Sequence, residues 1–214
     1  SSISKLLHGA WMPIIIAIVA FTFISTWYKG HTYIARERKR VEGTLKSFVT
    51  KLHHSDVPRI PGNAIYLGHH PGNAPLALHE SLEQLHEIHE NIVVVTIEVT
   101  DKPHVPEQRR VVFDGLGHPN DGISHVTLHF GYQDIPNVPR TLALARGMNA
   151  EFDFDPFTAT YFSTVTQPVI ARNHRMARWR KSLYLFMQRN ANNPTDYYKI
   201  PINQTVEMRA FLEL

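Results

Sequence analysis

From Gly9 to Tyr28 the chain reads GAWMPIIIAIVAFTFISTWY, with no charged residue and apolar side chains all round rather than along one stripe. As a helix, a run of this length rises about 30 Å, the thickness of a bilayer's hydrocarbon. Pro13 sits near its start, where a missing N–H costs least. Trp11 stands at one end and Trp27 with Tyr28 at the other, as interfacial anchors do. The competing reading is a buried core helix of a soluble protein. The length of the run and its flanks favour the membrane.

Beyond the run the pattern changes period. Thr32 to Leu52 is apolar at Ile34, Val41, Leu45, Phe48 and Leu52, which predicts a helix leaving the membrane. His53 to Pro58 breaks it, and a domain boundary is expected there. Ala64 to Gly68 predicts a short strand, and Pro75 to Ile88 a helix with Leu78, Leu82, Leu85 and Ile88 as its apolar stripe. Asn91 to Val99 is nearly continuous β-branched residue, as in a central strand covered on both faces. Strand, helix, strand implies a parallel pair joined by a right-handed crossover. Arg109 to Leu116 and Ile123 to Gln133 predict an antiparallel pair, the second with His125, Thr127 and His129 on one face and Val126, Leu128 and Phe130 on the other. Val138 to Asn149 predicts a helix, Phe157 to Val165 a strand, Met176 to Asn190 an amphipathic helix with Met176, Trp179, Leu183, Phe186 and Met187 on one side, and Thr205 to Leu212 a last strand. The expected fold class is α/β: one N-terminal transmembrane helix followed by a cytosolic α/β domain with a mixed sheet. The expected partition is a membrane helix over 1–30, a basic juxtamembrane helix or linker over 31–57 and the α/β domain over 58–214.

Charge sets the orientation. Lys29, Arg36, Arg38, Lys39, Arg40, Lys46 and Lys51 face only Glu37 and Glu42 in the segment after the run, so the remainder of the chain is expected in the cytosol. Residues 1–51 hold eight basic and two acidic side chains, and the remainder fourteen against seventeen. The basicity thus belongs to the membrane edge, where anionic lipid attracts it, and the mildly acidic remainder lacks a basic stripe for nucleic acid. Cysteine is absent, which excludes a disulfide framework, a thiolate metal site and a Cys nucleophile. No basic region and no small-residue cleavage site bracket the run as in a signal peptide. The opening SSISKLLHG lacks an initiator Met, and a piece of a longer membrane protein is expected.

Candidate chemistry is sparse. His86-Glu87-Ile88-His89-Glu90 misses the HExxH spacing by one, and His79 with His86 lies at the edge of a polar helix face. Glu151, Asp153 and Asp155 alternate without an EF-hand pattern and read as a solvated turn. Arg172, Arg175, Arg178, Arg180 and Lys181 form a basic cluster suited to lipid headgroups or a nucleotide phosphate, or to plain solvent. No catalytic constellation and no metal site is assigned, and the chain is expected not to be an enzyme. The best ligand candidate is the strand–loop–helix at Gly68, His69, His70, Gly72 and Asn73, where N–H groups reached through glycines could hold an anion or nucleotide. A structural turn is the competing reading, since neither a Walker A nor a GxGxxG sequence is present.

Several segments together resemble the KUP/HAK/KT family of potassium uptake transporters. They are Leu6-Leu7-His8-Gly9-Ala10-Trp11-Met12-Pro13, Thr26-Trp27-Tyr28-Lys29-Gly30, Arg59-Ile60-Pro61-Gly62-Asn63-Ala64, His89-Glu90-Asn91-Ile92-Val93-Val94-Val95-Thr96, Phe130-Gly131-Tyr132-Gln133-Asp134-Ile135-Pro136-Asn137-Val138-Pro139, Met176-Ala177-Arg178-Trp179-Arg180, and Arg189-Asn190-Ala191 on to Thr195-Asp196-Tyr197-Tyr198-Lys199-Ile200-Pro201. The resemblance implies the last transmembrane helix and the cytosolic C-terminal domain of a potassium–proton symporter. Potassium and protons would move through membrane helices outside this chain. The domain would be regulatory or assembly-promoting, with cyclic di-AMP as a candidate regulator at the Gly68–Ala74 loop. The implied partners are the bilayer of the cell membrane, the rest of the transporter and a second copy of the chain, with no nucleic acid. The chain departs from the family's pattern after Thr160-Tyr161-Phe162, with Ser163-Thr164-Val165-Thr166-Gln167 where an Arg-Glu pair is usual. A membrane-tethered nucleotide sensor and a membrane-anchored metallohydrolase remain the alternatives.

Overall fold

A computed structural model describes residues 11–115, 121–148, 152–171, 176–190 and 198–214. Two compact units emerge, and the break between them along the first helix falls between Glu37 and Arg38.

The larger unit holds residues 38–167 and 193–211. Its sheet strands are β1 (Arg59–Gly68), β2 (Ile88–Thr100), β3 (Val111–Asp114), β4 (Ile123–Gly131), β5 (Thr160–Val169) and β6 (Thr205–Glu213), in the order β3-β4-β2-β1-β5-β6. β2 is parallel to β1 and to β4, β1 is parallel to β5, and β3 runs antiparallel to β4. The mixed α/β sheet expected from the strand–helix–strand pattern is therefore present. The turn joining β3 to β4 lies outside the described residues except for Gly115, Asp121 and Gly122.

Residue parity divides the core. Ala64, Tyr66, Ile92, Val94 and Phe162 join Leu45, Phe48, Val49 and Leu52 of the helix α2 (Leu45–His53) on one face. Ile65, Val93, Val95, Val126, Leu128 and Tyr161 join Val138 and Leu142 of the helix α4 (Val138–Leu144) on the other. Side chains alternate along a strand, so a stretch buried on both faces must be apolar at every position, as Ile92, Val93, Val94 and Val95 of β2 are.

Several predicted elements change. The first helix, α1, runs unbroken from Trp11 to Glu42. The predicted Thr32–Leu52 helix is instead cut at Gly43, whose φ of +60° suits a residue without a Cβ. Thr44 then restarts the chain as the N-cap of α2, its hydroxyl accepting from the Ser47 N–H at 3.3 Å. The Pro75–Ile88 helix shrinks to α3 (Leu76–Glu80) and a π-helical turn over Ser81–Leu85, ended by His86 in the left-handed region at φ 56°. Ile88 belongs to β2, and Leu85 is exposed. Leu85 and Ile88 fit the helical spacing without lying on a common helix. α4 ends at Leu144 rather than Asn149.

The smaller unit groups residues 1–37, 168–192 and 212–214. Among the described residues α1 is the one helix long and apolar enough to cross a membrane. Its best 18-residue window has mean hydropathy 1.7 and is only 6 % buried, which disfavours the core-helix reading. The Thr22 hydroxyl bonds back to Ile18 O at 2.8 Å, satisfying a polar group in the apolar run. The helix α5 (Arg178–Arg189) belongs to the same unit. Its apolar side is not the buried one: Trp179 and Phe186 are exposed, while Lys181 and Tyr184 are buried. Lys181 Nζ donates to the carbonyls of Ala171 at 2.9 Å and Leu214 at 2.6 Å, and Tyr184 lies against Gly30. Specific partners for two polar-tipped side chains outweigh the apolar pattern.

Candidate functional site

Gly68, His69, His70, Gly72 and Asn73 follow the carboxyl end of β1, the side of a parallel sheet where ligands collect in α/β folds. The sheet end explains the turn. Gly72 takes φ +73°, and Asn73 bridges to Thr44. Much of the loop is spent on the junction between α1 and α2. Gly72 O accepts from the Leu45 N–H at 2.8 Å, and the Ala74 N–H donates to Gly43 O at 3.3 Å. The Asn73 N–H closes the turn onto His70 O at 3.3 Å, and its side-chain amide donates to Glu42 Oε2 at 3.0 Å. His79 Nε2 adds a contact to Glu42 O at 2.9 Å. Two N–H groups at the end of the loop are therefore committed within the protein.

What the loop gains is a cation. Arg38 is only 8 % exposed. One of its terminal nitrogens meets the Thr166 hydroxyl. The other, Nη1, is buried without a hydrogen-bond partner among the described residues, as are the hydroxyls of Ser163 and Thr164. Thr164 shares the Thr166 face of β5, just past its pairing with β1 at Tyr66↔Phe162, while Ser163 falls on the opposite face. Desolvation first, then the charges of Arg38 and His70, hold the His69 pKa below 6.5, so its imidazole is neutral at pH 7. A buried guanidinium nitrogen without a partner costs free energy unless an acceptor reaches it. The arrangement suits an oxyanion approaching over the loop.

In the sequence Arg38 reads as one more membrane-edge cation. The signal that singles it out is spacing: Ile34, Arg38 and Glu42 lie four apart on one helix face, and all three are buried.

The histidine-rich positions resolve into structural contacts. His125 is buried between Asp114, whose Oδ2 lies 3.0 Å from Nδ1, and the Thr96 hydroxyl, 3.0 Å from Nε2. Asp114 also accepts from Thr127 Oγ1 at 2.9 Å. Burial lowers the His125 pKa against the pull of Asp114. The chain resembles a nucleophile relay, but Thr96 is fully buried and no substrate can reach it. His129 pairs with Glu98 at 3.4 Å. Among the described residues no group of three His, Asp or Glu side chains could hold a metal. Asp155 accepts from the Phe157 N–H and Asp153 faces Arg146, while Glu151, Arg172 and Arg175 lie outside the described residues.

A second feature has no counterpart among the sequence candidates. A cavity of about 260 Å³ opens where the segment after β4 meets α4 and Lys199, with Arg110, Arg140, Lys199 and Glu107 among its lining residues. Asp134, beside the lining residue Ile135 and paired with the lining residue Arg110, ties this segment together. The carboxylate accepts from the N–H groups of Gly131 at 2.7 Å and Val105 at 3.0 Å, and pairs with His104 at 2.9 Å and Arg110 at 3.2 Å. Asp134 lies within the Phe130–Pro139 stretch, one of those that carry the family resemblance.

Comparisons with known proteins bear on the same segments. Residues 61–214 match the family model described as the K+ potassium transporter C-terminal domain. A protein of Rhodococcus jostii named as a probable potassium transport system protein Kup is 35% identical over 216 residues, covering 100% of this chain and 33% of its own length. Proteins with the same name from Bordetella avium and Cutibacterium acnes are 31% and 34% identical, covering 100% and 97% of this chain. The chain spans about a third of the length of these relatives. No solved structure matches it. An apolar membrane-length helix, a mixed sheet built on the expected strands, and a match that spans the sheet and reaches the last residue together place this chain in the Kup potassium transporter family, whose C-terminal domain it carries.

Proposed function

We propose that the chain is the membrane-anchoring and regulatory end of a potassium–proton symporter in the cell membrane, with its α/β domain on the cytosolic side. The basic flank after Tyr28 supports that orientation. The apolar helix is no potassium path by itself. A potassium site needs a cage of oxygens, and the side-chain oxygens of this run are Thr22, Ser25, Thr26 and Tyr28. Thr22 and Ser25 donate to their own helix, and Ser25 and Thr26 accept from Arg180. Transport therefore rests on the rest of the transporter, and the domain serves control or assembly.

The regulatory ligand is a phosphate-bearing molecule, with cyclic di-AMP as the candidate, held at the loop of Gly68, His69, His70, Gly72 and Asn73. The observation that carries this reading is the buried, unpartnered Nη1 of Arg38 beside that loop. A ligand at a hundred times its Kd adds about 2.7 kcal/mol, or roughly 5–10 °C in Tm for a domain of this size. Titrating the chain with cyclic di-AMP is expected to give a rise of that order, and Arg38→Gln to remove most of it. An unchanged Tm in the unsubstituted chain contradicts the ligand. A full shift in Arg38→Gln contradicts the site. An assembly role predicts a dimer on sizing of the detergent-solubilised chain.

A further inference from the structure

We propose that α5 is an interfacial helix whose Trp179–Phe186 face rests in the lipid of the leaflet that α1 leaves through. The inference rests on α1 spanning the membrane and is independent of the regulatory ligand.

Four contacts fix the depth of α5 on α1. Arg180 Nε donates to Thr26 Oγ1 at 3.0 Å, and its Nη2 donates to Ser25 Oγ at 2.6 Å. Tyr184 packs over Gly30 so closely that a Cβ there would lie 2.2 Å from the ring. The rings of Tyr184 and Trp27 are 5.6 Å apart. All of these attachment points fall between Ser25 and Gly30, where the uncharged run gives way to Lys29 and the basic segment. That level is the boundary between hydrocarbon and headgroups, where tryptophan and tyrosine concentrate.

The same contacts decide which way the helix faces. At about 100° per residue, Arg180, Lys181 and Tyr184 form the side turned to the protein. Trp179, Leu183 and Phe186, spaced i, i+4, i+7, form the opposite side. Trp179 is 58% exposed and Phe186 63%. Arg178, Ser182 and Arg189 flank that stripe and are exposed as well. The helix carries no acidic residue. An apolar stripe edged by guanidinium groups is the pattern of a helix lying in the membrane plane, with rings among the acyl chains and cations at anionic headgroups. α5 is seated on α1 at Ser25–Gly30, directly beside the exposed apolar run of α1, so the bilayer is the occupant already in place.

The absence of cysteine makes the test direct. Single substitutions Phe186→Cys, Trp179→Cys and Ser182→Cys in the full chain, each carrying a nitroxide label, are read by electron paramagnetic resonance. The host is vesicles of phosphatidylcholine with phosphatidylglycerol. Labels at 179 and 186 are expected to be severalfold more accessible to oxygen than to a water-soluble nickel chelate, with the ratio reversed at 182. Equal chelate access at all three positions would place the face in water and overturn the proposal. Immobilised labels at 179 and 186, shielded from both reagents, would place a second copy or another protein segment there and overturn it equally.

Discussion

Gly122→Ala is expected to cost the domain about 2–5 kcal/mol. Two penalties add at this position. Its φ of +74° lies in the left-handed region, where a side chain costs about 1–2 kcal/mol. The new methyl would also sit 2.2 Å from the carbonyl oxygen of Glu90. That oxygen belongs to backbone at the start of β2, so it cannot swing away as a side chain could, and overpacking of this kind costs about 1–3 kcal/mol. Nor can the glycine retreat, because its carbonyl accepts from the Ile92 N–H at 2.7 Å. Arg59 ties the corner further, its Nη1 donating to Asp121 O at 2.8 Å and Glu90 O at 3.2 Å. The loss is a large share of a domain stability of about 5–15 kcal/mol. Urea unfolding should show the midpoint falling by on the order of 1–2 M. Gly147→Ala is the control: φ is +77° but no described residue lies within 4 Å of the added methyl, so only the conformational term, about 1–2 kcal/mol, applies. Equal effects of the two substitutions would contradict the close packing of β4 onto β2.

Asp134→Ala is expected to be nearly as damaging and to change the pH dependence. The side chain is 7% exposed. Its removal strands the N–H groups of Val105 and Gly131 and takes the partner from Arg110, for a combined loss of about 2–4 kcal/mol. Gly131 cannot shift to find another acceptor, since its Cα already lies against the backbone of Pro103 and His104. The hydrogen bond from Val105, then those from His104 and Gly131, hold the carboxyl well below its ordinary 3.8, with a smaller pull from Arg110. A depressed carboxyl contributes its full stabilisation above the unfolded-state pKa and loses it as the pH falls through the folded one. Stability of the unsubstituted domain should therefore fall between about pH 5 and pH 2 more steeply than that of Asp134→Asn, which carries no charge at this position. Chemical unfolding across that range measures the difference. Parallel curves would mean that Asp134 does not hold this loop.

Both predictions rest on features the chain displays unevenly. β2 was legible because a run such as NIVVVTIEV has few other uses than a strand covered on both faces. α1 was legible because lipid imposes an all-apolar surface that no soluble helix needs. The position of the candidate anion loop was legible from glycines after a strand. The cation proposed to serve it was not, because Arg38 lies in a run of similar cations and only its fourfold spacing with Ile34 and Glu42 sets it apart before its burial is known. The direction of α5 was not legible for a related reason. Amphipathicity says which side is apolar, but not whether water, protein or lipid meets it. Trp179 and Phe186 face outward because Lys181 and Tyr184 find specific seats at Ala171, Leu214 and Gly30. The π-helical turn over Ser81–Leu85 left no mark in the hydrophobic spacing, which reads through it as an ordinary helix.

Everything proposed for this chain depends on α1 crossing the membrane and delivering the domain to the cytosol. Asp56 is an exposed residue just beyond α2, in a chain without cysteine. Asp56→Cys, expressed in cells and treated with a membrane-impermeant maleimide, is expected to stay unlabelled while the cells are intact and to label once they are permeabilised. Labelling in intact cells would put the domain outside and contradict that topology.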